Sequence, residues 1–560
     1  MQSIIIVAMN ISKKLSALPL VFALAYGSIS AQEALKSIEE NYYDFLSLQG
    51  LVKRPTLNYR TLSDSVWELS EEAQNDARNI WKSNNLGTAR FINGNKNLSW
   101  KIYGPEWYQS FNTAAPYGQN DGALWQGRGY NTSLTGGARL QAYGVELTLK
   151  PQLSFSQNVA FDIIEPHTAY KTSDFTGKAK KYGYYGVPSI DAPQRFGNKP
   201  FFTFDWGDTE IRYTWKVLTF GFGTQAVWLG PAQLNPIIHS NNAANYPKID
   251  FGVKKTSVHL PWAGWYLGDI EIRGWFGRLT ESDYFDNIDS NDHNLLSGLA
   301  LAWVPPYLKG LTIGVNRTML SKWNEISVYS LFKIYNPFMS GFKEGKDKSD
   351  QRFSFTVDYL LPSAGFEIYF EWARNDYSPD LNYIIRYPFH TQGYTVGCRK
   401  SINFSDKYSG ELTLEITNLE CSRDYGSYIP YPSTFYAHHI ITQGYTNGGQ
   451  WLGAGIGTGG NSQYIGFKLY HPNGFWKIFF QRRNPDLDYT WHYDAAHSGW
   501  GAETNIRVLL IGGLETLYYL SKDIYFTAGL AAIHEKNPLN NGNPETRNGL
   551  HARISVKYNF

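Results

Sequence analysis

From Asn97 to the end of the chain, apolar and polar residues alternate with a period of two, broken at intervals by Gly, Pro, Asn and Asp. In the run Phe353–Tyr359, Phe353, Phe355, Val357 and Tyr359 share one face, and Ser354, Thr356 and Asp358 share the other. Successive side chains of a strand point to opposite faces, so the run predicts a strand with one apolar and one polar side. Beyond a turn at Pro362–Gly365, Phe366, Ile368, Phe370 and Trp372 alternate with Glu367, Tyr369 and Glu371. Ile465, Phe467 and Leu469, then Trp476, Ile478 and Phe480, flank the turn His471–Gly474. Leu311, Ile313 and Val315 follow Pro305–Pro306, and Leu218, Phe220, Phe222, Ala226 and Trp228 form a further apolar face.

Two architectures suit such strands. In a sandwich the charged face meets water; in a membrane barrel it lines the lumen while the apolar face meets lipid. Connection length separates them. Short turns near 142–144, 217–218, 305–310, 362–365, 471–474 and 521–523 alternate with long polar stretches near 156–200, 230–250, 280–293, 320–350, 375–392, 422–436 and 484–500. Short periplasmic turns and long outer loops give a barrel this rhythm. The chain also ends in Ile554-Ser-Val-Lys-Tyr-Asn-Phe560, alternating up to a terminal Phe, which resembles the signal read by barrel-insertion machinery. Counting gives about 16 to 20 strands.

The N-terminal part has another rhythm. Lys13 and Lys14, the apolar run Leu15–Tyr26 and the small residues Ser28, Ser30 and Ala31 predict an export signal over residues 1–31, cleaved after Ala31. Leu35, Ile38, Tyr42 and Phe45 recur at helical spacing up to Gly50. Val66, Leu69, Ala73, Ala77 and Ile80 do the same after Ser63–Asp64. Two helices joined by a loop over Lys53–Thr61 are expected. Residues 32–96 then form a periplasmic helical segment on the barrel's inner mouth, and 97–560 the barrel.

Composition supports the barrel. Aromatic residues are 16% of the chain, with 40 Tyr, 32 Phe and 18 Trp, alongside 52 Gly. Aromatic girdles and glycine-rich turns use such residues. After the signal, no apolar run approaches the roughly 18 residues of a spanning helix. Removing the signal leaves 49 basic residues, since Lys13 and Lys14 go, against 49 acidic ones. That balance argues against a nucleic-acid partner, which demands a basic footprint. Cys398 and Cys421 are expected unpaired. Symmetric pairing about a turn near 404–410 sets Cys398 opposite Ile416 and Cys421 opposite Gly393, an offset of five residues at about 3.3 Å each.

No enzyme motif emerges, and neither cofactor nor metal is expected. His438 and His439 are adjacent, so their rings point to opposite sides of a strand, a poor metal pair. Gly453–Gly460 has the glycines of a nucleotide loop without the strand–turn–helix setting and reads as a flexible strand-to-loop region. Glu271, Arg273, Glu367, Glu371, Glu415, Arg482 and Asp488 are charged positions expected to pair with one another in the lumen rather than catalyse. What the long connections do offer is the chemistry of a glycan surface: aromatic faces for sugar rings and planar amide, carboxylate and guanidinium groups for hydroxyls. The candidates are Asp121, Trp125, Arg128 and Asn131; Trp228, Asn235, His239, Asn241 and Asn242; and Tyr445 and Trp451.

These segments also carry a resemblance. Asn120–Gly137 (NDGALWQGRGYNTSLTGG), Trp228–Ala243 (WLGPAQLNPIIHSNNA) and Gln443–Gly453 (QGYTNGGQWLG) resemble the Wzi-type capsule-assembly outer-membrane proteins in their Bacteroidetes-like form. The order of signal, helical segment and long β region is similar too. The resemblance implies an antiparallel outer-membrane barrel of about 18 strands with a periplasmic helical segment. It implies a lectin-like role, without catalysis, in binding capsular or exopolysaccharide, and capsule-export proteins as further partners. A porin or oligosaccharide channel is the rival reading.

Overall fold

The computed structural model describes residues 30–32, 36–92, 94–335, 349–375, 381–387, 389, 391–421, 434–491, 506–541 and 545–560. Apart from Ser30 and Ala31, the expected export signal lies outside them. Among the described residues, 18 antiparallel strands form a closed barrel. The first is Asn95–Asn112 and the last Thr546–Tyr558. They pair with each other through His551 opposite Asn112 and Lys557 opposite Glu106, which leaves no free edge. Two strands are built in two pieces, Val145–Leu149 with Gln152–Ser156 and Phe201–Asp205 with Glu210–Trp215.

The burial pattern is inside out. On the strand Asp350–Leu361, Arg352 and Ser354 are fully buried while Phe353 is 36% exposed. Ile478 is 57% exposed and Glu371 0%. An apolar outer face and a charged inner face identify a barrel seated in lipid. The turns at 143–144, 216–217, 260–265, 305–310, 362–365, 406–407, 472–473 and 522–523 are all at one end, with the long connections at the other. This sets the turns in the periplasm and the loops outside.

Four sequence expectations change. First, only one of the two predicted helices forms. The helix α1 (Ile38–Leu48) starts at Ser37, whose hydroxyl accepts the Glu40 N–H at 3.1 Å, with Glu39 and Glu40 in its first turn. The stretch from Val66 makes a short strand, Val66–Glu68, and a five-residue helix, Glu71–Asn75. There the apolar residues seek the barrel's base rather than one helical face: Trp67 stacks on Tyr43, and Trp81 on Tyr42 at 4.2 Å. Second, β structure starts before Asn97, because Thr88–Ile92 pairs with the strand that begins at Asn95. Third, Cys398 faces Leu414, two residues from the predicted register, since a bulge between Asn403 and Ser405 slips the hairpin; neither cysteine is in a disulfide. Fourth, the strand carrying Phe220 and Phe222 ends at Gly223, so Trp228 leaves the lipid face and is 1% exposed inside the lumen.

The lumen is filled from both ends. From the periplasm, α1 packs Tyr42 and Phe45 on Tyr470, with Phe475, Leu517 and Tyr525 of the wall around them. From outside, the connections 224–247 and 434–460 fold back inward. Val227, Leu229, Ile237, Tyr436 and Leu452 form an apolar core against Trp275, Leu296 and Leu320 of the wall. The two plugs meet as Trp228–Leu229 pairs with Tyr59–Arg60 inside the barrel.

Candidate functional site

An irregular chain threaded through a barrel carries backbone N–H groups that must find acceptors. The wall supplies them as carboxylates. Glu271 accepts from the backbones of Leu57, Asn58 and Tyr59 at 2.7–3.1 Å. Glu371 accepts from Ile237 at 2.8 Å. Glu415 accepts from Gln233, Leu234 and Asn235 at 2.7–3.1 Å and from the Tyr369 hydroxyl at 2.8 Å. The other charged lumen positions are engaged too. Arg273 pairs with Asp64 and Asp250, Glu367 with Arg54 and Arg399, and Asp488 accepts from the Cys421 backbone and Thr434. The expectation for Arg482 is corrected: it stands in the outward row of its strand with Ile478 and Phe480, not in the lumen, and donates to Asn461 and Gln463.

Above the plug, the outer mouth holds a vestibule of about 270 Å³. Trp125 and Trp451 line it, with Tyr184, Tyr185, Asp121 and Asn242. Trp125 is set edge-on to Phe196 at 4.9 Å and donates to Asn158 at 3.3 Å. Trp451 is set edge-on to Tyr184 at 5.9 Å. Gly457, at φ +78°, lies under Trp451; a Cβ there meets the indole Nε1 at 2.9 Å. Asn242 joins the two sides, accepting from the Asn120 N–H at 3.2 Å and donating to the Trp451 carbonyl at 3.2 Å. Burial pushes the Asp121 carboxyl up to about 6. Arg507 and Arg547 converge on Glu535, each at 2.7 Å. The vestibule thus offers indole faces, amides and held guanidinium groups around one opening.

The structure brings Asp121, Trp125, Asn242 and Trp451 together there, and sets Trp228 and Asn241 on a second cavity deeper in the lumen. The other five candidates face neither. Arg128 donates to the carbonyls of Thr113 and Ala160 at 3.0 and 2.6 Å. Asn131 is fully buried and donates to Gly127 and Gly129. Asn235 is held by Glu415, and Tyr445 stacks on buried Tyr436 at 5.8 Å. His239 bonds Tyr246 at 2.7 Å and the Val227 carbonyl at 2.8 Å, and burial lowers it to about 4. The expectation of a long outer connection near 230–250 is therefore corrected for Asn235 and His239, which lie buried within the plug. Gly453–Gly460 is corrected likewise. It is packed, not loose, and a Cβ on Gly453 meets the Ile237 carbonyl at 2.1 Å. The sequence reading missed Tyr184, Tyr185 and Arg507, which stand far from the matched motifs.

His438 accepts from the backbones of Ile440 and Ile441; it lies in a loop, and its ring stands 4.8 Å from that of His439, so the expectation that the two rings point to opposite sides of a strand is corrected. Glu281, Asp286 and Asp292 present oxygens within 4.8 Å of one another on an outer loop. Nearby, buried Asp191 accepts from the Ser282 backbone and hydroxyl, each at 2.6 Å, tying the connection 157–200 to 281–292. Burial pushes Asp191 up to about 7 and Glu281 to about 9, with neighbouring carboxylates adding to both. These folded values exceed the unfolded ones of about 4, so the folded loops bind more protons. Their mutual stability is full below about pH 4 and falls as pH rises above it, the Asp191 share being gone by about 7 and the Glu281 share by about 9. Hydrogen exchange in 157–200 is expected to accelerate between about pH 4 and 9 beyond its intrinsic rate, and Glu281→Gln to flatten the part of that rise above about pH 7. An unaltered protection profile speaks against this.

The sequence model of the family described as capsule assembly protein Wzi matches residues 119–474. In fold, the chain is similar to the solved Wzi of Escherichia coli, described as an outer-membrane, carbohydrate-binding β-barrel involved in group 1 capsule assembly. The TM-score is 0.58 and the identity 13%, over 95% of this chain and 100% of that one. Looser likenesses are to Acinetobacter baumannii OccAB1 (TM-score 0.36, 10% identity, 82% and 96% covered) and Pseudomonas aeruginosa OccK1 (0.37, 7%, 82% and 97%). No curated protein sequence matches significantly. With well over half its length matched by the family model, the chain belongs to the Wzi family of capsule assembly proteins.

Proposed function

We propose that this protein is an outer-membrane barrel that binds capsular polysaccharide at its outer mouth and supports capsule assembly or attachment at the cell surface. The observation that carries the reading is the vestibule, with the indoles of Trp125 and Trp451 around one opening, set above a lumen closed by two plugs. Aromatic faces receive the apolar sides of sugar rings, and the flanking amides and guanidinium groups take hydroxyls. Weak contacts repeated along a polymer add through multivalency. The plugs weigh against an open channel. The wall carboxylates are engaged in holding backbone, which supports binding without bond cleavage. In this reading the C-terminal strand addresses the insertion machinery, and capsule-export proteins dock from the periplasm.

A deletion strain is expected to shed polymer into the medium. Complementation with Trp125→Ala/Trp451→Ala is expected to restore barrel insertion but not cell-attached polymer. Full retention of capsule in the deletion strain overturns the reading.

A further inference from the structure

A second cavity of about 400 Å³ lies below the vestibule, between the plug and one side of the wall. The loop 117–121, Gln126 and Arg483 line both hollows, so the two adjoin. Lys36 and Asn41, at the N-terminal end of α1, line it too, opposite the outer mouth. Its lining is strongly biased in charge. Lys36, Arg399, Lys468, Lys477, Arg483 and Arg553 face it, against three carboxylates, Asp121, Glu411 and Glu515.

Register explains how the wall builds this hollow. Along one level of the sheet, neighbouring strands set Glu411, Lys468, Lys477, Glu515, Gly529 and Arg553 side by side. Glu411 is shared by Arg399 and Lys468 at 2.7 and 3.6 Å, and Glu515 by Lys477 and Arg553 at 3.2 and 2.8 Å. Each carboxylate thus answers two cations, though Arg399 is met by Asp44 and Glu367 as well, so the excess lies with Lys468, Lys477, Arg483 and Arg553. Gly529 makes room for the Arg553 side chain, whose Nε stands 2.9 Å from where a Cβ would be.

Higher on the same strands the wall becomes a platform. The Phe479 ring covers Gly513, where a Cβ would stand 2.3 Å from it, and Tyr464 covers Gly466, its nearest ring carbon 2.9 Å from where a Cβ would be. The two rings stack at 5.9 Å and 26°. The glycines let both rings lie against the wall instead of projecting across the lumen. Lys477 Nζ stands 5.1 Å from the Phe479 centroid. Above the platform, Arg483 donates to the carbonyls of Gly455 and Ile456, its Nε has no partner, and among the described residues no carboxylate pairs with it. From Lys477 to Arg483 is roughly 20 Å of strand.

We infer that this cavity is a subsite for an acidic glycan, with a sugar ring on Tyr464 and Phe479, one carboxylate taken by Arg483 above it and another by Arg553 below it. The inference rests on the glycan-binding reading above and adds the substrate class, an anionic glycan. A guanidinium fork matches a carboxylate in shape and charge, whereas a neutral sugar leaves the excess cations unanswered. The mature chain's balance of charges is no objection, because the excess is local to this wall.

The test uses the full-length protein in detergent, with calorimetric titration of a galacturonate trimer, the neutral galactose trimer and inorganic phosphate. The acidic trimer is expected to bind about tenfold more tightly than the neutral one at low salt, the gap closing as salt rises. Arg553→Gln and Arg483→Gln are each expected to cost the acidic trimer about tenfold and leave the neutral one unchanged, with melting temperature as the check on folding. Arg553→Gln is the cleaner variant, since Arg483 also bonds the plug. Phe479→Ala is expected to weaken both trimers. Equal affinity for the two trimers, an acidic preference untouched by Arg553→Gln, or phosphate binding as tightly as the acidic trimer overturns the inference. If the host's own capsular polymer still binds in that event, the glycan-binding reading stands; if no glycan binds, both fall.

Discussion

Arg399→Met is expected to turn a silent barrel into one that opens. Arg399 is buried, and its guanidinium donates to Asp44 at 2.7 Å, Glu367 at 2.9 Å and Glu411 at 2.7 and 2.9 Å. Asp44 belongs to α1, while Glu367 and Glu411 belong to the wall. Arg54 answers the same group, reaching Asp44 at 2.8 Å and Glu367 at 2.6 Å. Methionine keeps much of the volume and removes the charge, leaving three buried carboxylates to share what remains. Breaking a buried network from one side costs about 3–5 kcal/mol. The barrel ladder has no need to yield that energy, because α1 can withdraw to periplasmic water and rehydrate Asp44. The aromatic contacts of Tyr42, Phe45 and Trp81 resist withdrawal, so the variant is expected to fluctuate rather than stay open. Its open fraction is expected to rise by roughly two to three orders of magnitude. Withdrawal of α1 uncovers the lower cavity, so the currents are expected to favour anions. Planar-bilayer recordings check this; a silent Arg399→Met protein with an unchanged urea midpoint refutes it.

How much of this was legible in the sequence depends on which face a residue meets. Phe353, Ile368 and Ile478 declare the barrel because lipid demands an unbroken apolar face, and period two is visible in any single strand. The C-terminal strand was legible for the same reason. The plugs were not. A segment such as Gln233–Asn242 carries amides, a histidine and apolar residues around Pro236, and that mixture suits a sugar-binding loop and a backbone threaded through a charged lumen equally well. Only the wall decides, through Glu371 and Glu415 on strands more than a hundred residues away. The basic cavity was hidden likewise. Lys468, Lys477, Glu515 and Arg553 look like ordinary inward charges along the chain, and only the register sets them in one row. The family motifs did locate the vestibule's Asp121, Trp125, Asn242 and Trp451, but could not separate them from His239 and Tyr445, which the same motifs bury.

Glu415→Ala is expected to free the outer plug while the barrel stays closed at its base. The Glu415 carboxylate is the acceptor for three consecutive backbone N–H groups, Gln233, Leu234 and Asn235, and for Tyr369. The tyrosine can turn its hydroxyl elsewhere; backbone N–H groups cannot. Each orphaned buried donor costs about 1–3 kcal/mol, so three together rival the whole packing advantage of a short loop. Glutamine is a poor substitute, since its amide offers one acceptor and sets an NH2 among donors. What remains for the segment is Glu371 on Ile237 and the apolar core around Val227 and Leu229. Hydrogen exchange over 231–240 is therefore expected to accelerate by two orders of magnitude or more, and exchange in the strand Tyr408–Asn418 to change little. Glycan affinity is expected to fall with it, because Leu234 and Asn242 anchor Asn120 beside the vestibule at 2.9 and 3.2 Å. Conductance, by contrast, is expected to stay near zero, since α1 keeps its own ion pairs. A Glu415→Ala protein with wild-type exchange over 231–240 rules out the carboxylate as the plug's holder, and one that conducts freely rules out α1 as the inner seal.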